Sequence, residues 1–157
     1  MKKSLSFDDV LLIPKYSDIK SRTEVNTANK LGKIRLTLPI ISSPMDTVTE
    51  NKMAETMSDA GGLGIVHRYN TLDEQADLLS AVNGRKAAAI GMTGDYLERA
   101  RFLYNTSGVD VLCVDVAHGH HIMMEHCLKT LKDEFGDEVH IMAGNVATLE
   151  GLSLIHI

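Results

Sequence analysis

Side chains that form hydrogen bonds stand at the ends of several short apolar runs in this 157-residue sequence. Ser43 offers a hydroxyl group, Asp115 a carboxylate that can accept two hydrogen bonds, and Asn145 an amide that both donates and accepts. Gly119 has no side chain, so the backbone there can approach a bound molecule closely. Residues of these types bind small polar molecules, and we expect them to meet where the apolar runs end.

Histidines and cysteines are the other candidates for chemistry. His118, His120 and His121 form a local cluster, but no carboxylate or cysteine completes a recognisable ligand set, so we predict no metal site. Cys113 and Cys127 are too far apart for a C-x-x-C redox motif or a zinc ribbon. We interpret both as reduced, packed thiols, Cys113 within a strand and Cys127 on a helix.

Five short apolar runs alternate with helical patterns from residue 39 onwards, which is typical of buried parallel strands. The runs cover residues 40–41, 64–66, 87–90, 109–114 and 141–143, and the helices cover about 50–60, 71–83, 95–104 and 121–135. Thr49 is predicted to cap the first helix, and Thr71 with Glu74 forms a capping box for the second. Apolar residues at helical spacing predict the buried face of the fourth helix: Met124, Leu128, Leu131 and Phe135.

This alternation predicts an α/β fold, and two architectures share it. A doubly wound sheet usually has a Gly-x-Gly-x-x-Gly turn after its first strand, whereas SSPMD follows the first strand here. We therefore predict a (β/α)8 TIM barrel. A complete barrel needs roughly 250 residues, so the chain is expected to be truncated after about the fifth strand. Residues 39–151 would form the first five β/α units.

The segment before the barrel, residues 1–38, is predicted to be an extended, hairpin-containing lead-in. Extended pieces are expected at 4–14, around an Asp8-Asp9 turn, and at 23–26 and 34–38. At the other end, residues 152–157 spell a string that a widely used transposon-end sequencing adaptor encodes. We predict that this tail derives from the adaptor and does not continue the helix that opens at 147–151.

Composition excludes several classes of protein. With 44% apolar and 24% charged residues, the chain can bury a core and lacks the signature of disorder. The net charge is −5 and no basic stripe is present, so nucleic acid is not an expected partner. No run of about 18 apolar residues occurs, and the polar start after Met1 is unlike a signal peptide, so we expect a cytoplasmic protein without membrane association.

Four ordered motifs carry a resemblance to a known family. They are SFDDVLLIP at 6–14, SSPMDTVTE at 42–50, GGLGIVHR at 61–68 and AGNVAT at 143–148. On these motifs the sequence resembles the IMP dehydrogenase/GMP reductase family, and the similarity covers residues 4 to 151. The resemblance implies a barrel that binds a purine nucleoside monophosphate and a nicotinamide cofactor at the C-terminal ends of its strands, where barrel enzymes place their chemistry.

The resemblance also implies a chemistry. In the family a cysteine attacks C2 of the purine, and hydride moves between C2 and the nicotinamide through a covalent thioimidate. That cysteine belongs to a loop after the sixth strand, so neither Cys113 nor Cys127 corresponds to it. The chain is expected to hold no catalytic residue and to be inactive by itself. For the complete protein the family implies a homotetramer and a monovalent cation, such as potassium, near the cysteine loop.

Site residues follow from the resemblance position by position. The residues implied to contact the substrate are Ser43, Met45 and Asn145. Those implied to contact the cofactor are Asp115, Val116, Ala117 and Gly119. Arg68 ends the second strand, where a basic side chain would face the anionic ligands, and we predict an anion contact there.

Within the family, IMP dehydrogenase, which oxidises IMP to XMP with NAD and water, is favoured by the form of the 42–50 motif. GMP reductase, which converts GMP to IMP and ammonia with NADPH, stays open because Val116 replaces the serine that dehydrogenases usually carry there. No pair of CBS modules is inserted between residues 70 and 84, which is typical of reductases and of some dehydrogenases. A third alternative, from another class, is a non-catalytic half-barrel that binds nucleotides.

Overall fold

Residues 5–156 are described by a computed structural model. An antiparallel hairpin comes first, with β1 (Asn29–Leu31) and β2 (Ile34–Leu36). The strands that follow are β3 (Ile41–Ser42), β4 (Leu63–Val66), β5 (Ala87–Ile90), β6 (Val111–Asp115) and β7 (His140–Gly144). Each of these is followed by a helix: α1 (Asn51–Asp59), α2 (Leu72–Ser80), α3 (Tyr96–Ser107), α4 (Ile122–Phe135) and α5 (Leu149–Ile155).

The order of the strands identifies the architecture. Strands β3 to β7 lie side by side in sequence order, and every neighbouring pair is parallel. A doubly wound sheet reverses its order at a switch point, whereas a barrel adds each new strand at the same edge. The sheet is a curled half-barrel of five β/α units. The prediction of a (β/α)8 barrel truncated after about the fifth strand is confirmed.

Side chains of the strands enter two separate cores, because successive residues of a strand point to opposite faces. In β5 all four residues are buried. Ala88 and Ile90 pack against the helices, whereas Ala87 and Ala89 face the inner side of the sheet. Burial on both faces explains why the strands are apolar runs rather than alternating patterns.

The hairpin covers the inner core at the N-terminal end of the sheet. Ile34 and Leu36 are buried in the same cluster as the inner side chains of the strands. The turn between β1 and β2 lies against the first residue of β7: a Cβ atom on Gly32 would stand 2.5 Å from Nδ1 of His140. Gly32 also has a φ of 55°, which other residues rarely adopt.

The lead-in differs from its prediction in one place and agrees with it in another. Residues 23–26 do not form a strand, since a 3-10 turn at Arg22–Glu24 occupies that segment and the hairpin closes tightly around residues 32–33. The stretch 4–14, of which residue 4 lies outside the described residues, contains a 3-10 turn at Phe7–Asp9, where the sequence predicts a turn at Asp8-Asp9. There the carboxylate of Asp9 accepts a hydrogen bond from the backbone N–H of Ser6 at 2.8 Å, which favours a turn over an extended chain.

Helix ends confirm the capping box and correct one cap. Thr71 Oγ1 accepts from the N–H of Glu74, and Glu74 Oε2 accepts from the N–H of Thr71. The predicted cap at Thr49 is wrong, because Glu50 occupies the N-cap position and its side chain makes no capping bond. Thr49 is instead fully buried. The predicted stripe of α4 is buried along its whole length.

The tail continues the last helix, contrary to the prediction. Thr148 caps α5 by accepting from the N–H of Gly151 at 3.0 Å, and the helix extends to Ile155. Ile155 packs against the helix-side core. This side chain is half-buried, and its packing favours a helical conformation of residues 152–155. The adaptor origin of 152–157 stays a prediction.

The capping box provides a test of local stability. We expect Thr71→Ala to lower the free energy of unfolding by about 1 kcal/mol, because the first turn of α2 loses its side-chain acceptor. Thr71→Ser keeps the hydroxyl and should leave stability close to that of the original chain. Urea denaturation followed by circular dichroism measures both, and equal losses for the two variants would contradict the capping role.

Candidate functional site

The C-terminal ends of the five parallel strands meet along one edge of the sheet, and most of the predicted site residues follow these ends. Ser43 comes after β3, Arg68 after β4 and Asn145 after β7, and Asp115 is the last residue of β6. Because the strands run in sequence order, these residues are spread along the edge rather than gathered at one point. The predicted site is therefore open. We call this edge of the sheet, with Ser43, Arg68, Asp115 and Asn145, the rim.

The loop after β3 is held from inside by Thr49. Its hydroxyl donates to the backbone carbonyl of Ser43 at 2.7 Å and lies 2.9 Å from Oγ of Ser42. The carbonyl of Met45 accepts from the N–H groups of Val48 and Thr49, both at 2.9 Å. With the backbone thus fixed, the side chains of Ser43 and Met45 are exposed and available at the rim.

After β4 the chain presents a buried histidine and then an arginine. His67 Nδ1 accepts from the backbone N–H of Tyr69 at 3.2 Å, so the proton of the neutral imidazole is on Nε2. That atom lies 3.8 Å from Oε1 of Glu50 and has no hydrogen-bond partner among the described residues. His67 is 4% exposed and serves as an anchor of the turn rather than a group at the rim.

Arg68 extends along the rim towards the neighbouring strands. Its Nη2 donates to the backbone carbonyl of Asp115 at 3.4 Å, and its guanidinium lies 5.4 Å from the centre of the Tyr69 ring. Nη1 would be 3.9 Å from a Cβ atom built on Gly91, the residue that follows β5. The guanidinium thus lies across the ends of β4, β5 and β6. Its Nε is buried and lacks a partner in the part of the chain that the structure describes.

Beyond β6 and β7 the two backbones remain joined. The N–H of Val116 donates to the carbonyl of Gly144 at 2.9 Å, and the N–H of Asn145 donates to that of Val116 at 2.7 Å. Gly119 donates to the carbonyl of Asn145 at 2.7 Å, and a Cβ atom on Gly119 would be 3.0 Å from that oxygen. The group that lies close to Gly119 is therefore the backbone of Asn145 in the same chain. These contacts fix the position of Asn145, whose side chain is exposed.

Val116 and Ala117 differ in what they present. The side chain of Val116 packs against the helix-side core, while Ala117 is exposed at the rim. A cofactor contact by Val116 would thus involve mainly its backbone. The roles of both residues stay predictions.

The histidines after β6 have local contacts. His121 caps α4, with its Nδ1 accepting from the N–H of Met123 at 3.1 Å. The side chain of His120 lies against Gly151, where a Cβ atom would meet its ring carbon at 3.2 Å. Within residues 5–156 the structure places no three histidine, cysteine or acidic side chains together as a metal site.

Gln75, which is fully buried in α2, is not among the residues predicted from the sequence. Its amide nitrogen donates to the carbonyls of His67 and Ala89, at 3.0 and 2.9 Å, and its amide oxygen accepts from Arg99 at 2.9 Å. The signal in the sequence was a polar residue on the apolar face of a helix, next to Ala76 and one turn before Leu79. Gln75 contacts the strand ends directly.

A hollow beside the turn after β4 is not formed by the predicted site residues. A hollow of about 540 Å³ lies between α1 and α2, and His67 and Asn70 line it together with the acidic side chains of Glu50, Glu74 and Asp77. Ser43, Asp115 and Asn145 are not part of this lining. The rim and the hollow are therefore separate features that share only the turn at residues 67–70.

Both cysteines are buried. Burial raises the pKa of the Cys113 thiol to about 12, with a smaller contribution from the nearby carboxylate of Asp115. Burial also raises the pKa of Cys127 to about 12. Thiols in this state are poor nucleophiles at neutral pH, because the thiolate is the reactive form.

We expect neither cysteine of the folded chain to react with iodoacetamide at about pH 8. In urea both thiols should react rapidly, since an exposed thiol has a pKa of about 8.5. Mass spectrometry of the alkylated protein counts the modified residues under each condition. Rapid labelling of Cys113 in the folded chain would contradict the packed position described above.

No helix within the described residues is long and apolar enough to cross a membrane.

Comparison with known proteins extends these observations. The sequence matches a family model described as "IMP dehydrogenase / GMP reductase domain" over residues 4–156. Inosine-5'-monophosphate dehydrogenase of Nitrosopumilus maritimus (strain SCM1) is 53% identical over 77 residues, which cover 48% of this chain and 16% of that protein. GMP reductase of Leishmania donovani is 46% identical over 83 residues, covering 52% of this chain and 17% of that protein.

Two longer matches cover nearly the whole chain. Inosine-5'-monophosphate dehydrogenase of Cryptosporidium parvum is 32% identical over 195 aligned residues, covering 94% of this chain and 47% of that protein. The crystal structure of inosine 5' monophosphate dehydrogenase from Legionella pneumophila superposes with a TM-score of 0.88 at 40% identity, covering 98% of this chain and 48% of that one. The chain thus spans about half the length of these two relatives.

Proposed function

The chain belongs to the IMP dehydrogenase/GMP reductase family, and on that premise we propose that it is the N-terminal part of an IMP dehydrogenase. The reaction would convert IMP, NAD and water to XMP and NADH through a cysteine-linked thioimidate. The nucleophilic cysteine is not Cys113 or Cys127, whose burial keeps them as thiols. The chain by itself would bind parts of the ligands and would not turn over substrate.

The observation that carries this proposal is the position of Arg68. Its guanidinium lies across the ends of three strands, and its Nε is buried without a partner among the described residues. A buried charged donor that lacks an acceptor is costly, and an anionic ligand would remove that cost. Phosphate groups bind arginine through paired, charge-assisted hydrogen bonds. Arg68 would accordingly hold the anionic part of a nucleotide.

We assign the other residues of the rim to the two ligands. Ser43, Met45 and Asn145 would contact the purine nucleotide through a hydroxyl, a thioether and an amide. On the cofactor side, the carboxylate of Asp115 would accept hydrogen bonds from a ribose diol, beside Val116, Ala117 and Gly119.

These residues fit a nicotinamide dinucleotide, because Asp115 is half-buried at a strand end and can keep its carboxylate oriented. When bound, NAD supplies the hydride acceptor. The chain's own part is to bind and orient both ligands. We further propose that the complete protein is a cytoplasmic homotetramer that uses a monovalent cation such as potassium.

One observation favours a second candidate, GMP reductase with NADPH. Val116 follows Asp115 and directs its side chain into the core, so no hydroxyl is offered beside the cofactor at this position. The Leishmania donovani relative bears the name of that enzyme. A third candidate, a non-catalytic nucleotide-binding half-barrel, would use the same rim without the cysteine loop.

Titration of the isotope-labelled 157-residue chain by NMR tests the proposal. IMP and NAD should each shift the resonances of rim residues, including the amides of Gly119 and Asn145 and the Nε–H of Arg68. Arg68→Ala should weaken binding by about tenfold or more, because a hydrogen bond to a charged group contributes about 1.5–3 kcal/mol.

An arginine on another face of the chain is the matched control. Arg101 on α3 pairs with Glu134 far from the rim, and Arg101→Ala should leave the affinity unchanged. Equal affinity in Arg68→Ala and the original chain would contradict the proposed site. Tighter binding of GMP and NADPH than of IMP and NAD would favour the reductase. Catalytic turnover by the complete protein would exclude the non-catalytic module.

A further inference from the structure

We propose that Gln75 is a positioning residue, which holds the diverging ends of β4 and β5 so that Arg68 is aimed along the rim. The inference about the shape of the turn stands by itself. Its consequence for binding rests on the function proposed above.

Strands β4 and β5 separate at their C-terminal ends. The β4–β5 ladder contains the pairs Ile65 with Ala87 and Val66 with Ala88, and it ends there. On the other side, β5 continues to pair with β6 as far as Ile90. It is therefore β4 that leaves the sheet after Val66. Arg68 follows two residues later, after His67.

The side chain of Gln75 replaces the missing ladder. The next pair in register would be His67 and Ala89, and the carbonyls of both accept hydrogen bonds from the amide nitrogen of Gln75. A primary amide has two hydrogens, so one side chain can satisfy both carbonyls. Gln75 thus stands between the two strands at the point where their own hydrogen bonds end.

Arg99 holds the other end of the turn. The amide oxygen of Gln75 accepts from Arg99, which also donates to the backbone carbonyl of Asn70 at 3.3 Å and pairs with Asp95 at 3.2 Å. The turn 67–70 is therefore held at its first residue by Gln75 and at its last by Arg99. Arg68 lies between these two fixed points.

The residue type matters at this position. A glutamine provides two donors for the carbonyls and one acceptor for the guanidinium, with no net charge in a fully buried place. An apolar side chain of similar length would leave two buried carbonyls and an arginine without their partner. A carboxylate would keep the acceptor for Arg99 but lose both donors.

Fixing the turn would favour ligand binding through entropy. An arginine side chain and its backbone lose conformational freedom when they bind an anion, and a turn that is already held loses less. Loosening the turn should therefore weaken binding even though Arg68 itself is unchanged.

The test compares three variants of the 157-residue chain by NMR, with IMP and NAD as ligands. Gln75→Met removes all amide hydrogen bonds at similar length, and Gln75→Glu keeps the size and the contact with Arg99. Thr71→Ala weakens the same helix and removes only hydrogen bonds with Glu74. In the ligand-free chain, both Gln75 variants should shift the Arg68 Nε–H resonance and speed its exchange with water, whereas Thr71→Ala should not.

The affinity of each variant for IMP and NAD is the second measurement. Both Gln75 variants should bind about tenfold more weakly than the original chain, by analogy with the loss of one charge-assisted hydrogen bond, and Thr71→Ala should bind normally. If Gln75→Met does not fold, Gln75→Glu decides. Unfolding of both, or an Arg68 resonance that stays unchanged in either, would overturn the positioning role. If the original chain binds neither IMP nor NAD, the proposed function fails, while the Arg68 resonance still tests Gln75.

Discussion

Leu131→Ala is expected to lower the free energy of unfolding by about 3 kcal/mol, within the range of about 2–5 for such changes. Leu131 is fully buried in α4 and belongs to the cluster that joins the helices to the outer face of the sheet. Truncation would remove apolar contacts and leave a cavity that the rigid strands cannot fill. Since single domains are stable by only about 5–15 kcal/mol, a chain of this size would lose a large share of its stability.

Leu149→Ala is the matched control for this prediction. Leu149 is 75% exposed at the start of α5, so the same change of residue creates no cavity there. Its effect should stay within about 0.5 kcal/mol. Chemical denaturation followed by circular dichroism measures both variants. A loss below 1 kcal/mol in Leu131→Ala would show that α4 is not packed as described.

The second large effect is expected for Gly64→Ala, which should cost about 2–3 kcal/mol through overpacking. A Cβ atom on Gly64 would lie 2.5 Å from the Cα atom of Ala54, and backbone cannot rotate out of the way as a side chain can. Helix α1 would have to move away from β4. That movement would also disturb the rim, because the N–H of His67 donates to the carbonyl of Thr49 across the same contact.

Gly91→Ala is the control for Gly64→Ala, because it places the same methyl group where the nearest atoms are at 3.7 Å or beyond. We expect its free energy of unfolding to change little. Thermal unfolding of both variants distinguishes close packing from a general intolerance of alanine in place of glycine. If Gly64→Ala were as stable as Gly91→Ala, the close approach of α1 and β4 would be refuted.

Local signals in the sequence were sufficient for the five parallel strands and the first four helices. The capping box of Thr71 and Glu74 lies within one helical turn, and the stripe of α4 repeats within one helix, so each can be recognised without knowing the fold. The apolar runs indicated strands buried on both faces. Four ordered motifs identified the family, and their positions placed Ser43, Asp115 and Asn145 at strand ends.

Contacts between distant residues could be found only in the tertiary structure. Thr49 has the sequence position of a helix cap, yet its hydroxyl binds the carbonyl of Ser43 inside the preceding loop. Residues 152–155 were predicted to lie outside the helix, but they are helical, and the half-buried side chain of Ile155 packs against the core. In both cases a neighbour in space outweighed the local preference of the chain.

The residues of the rim show most clearly the difference between what local sequence signals and what tertiary contacts determine. The sequence by itself determined which residue types follow each strand, because these are set by the order of residues along the chain. The aim of Arg68 towards Asp115, 47 residues later, and the place of Gln75 between two strands depended on how β4 leaves the sheet. Hydrogen bonds of this kind join groups that are brought together by folding, and no local pattern encodes their geometry.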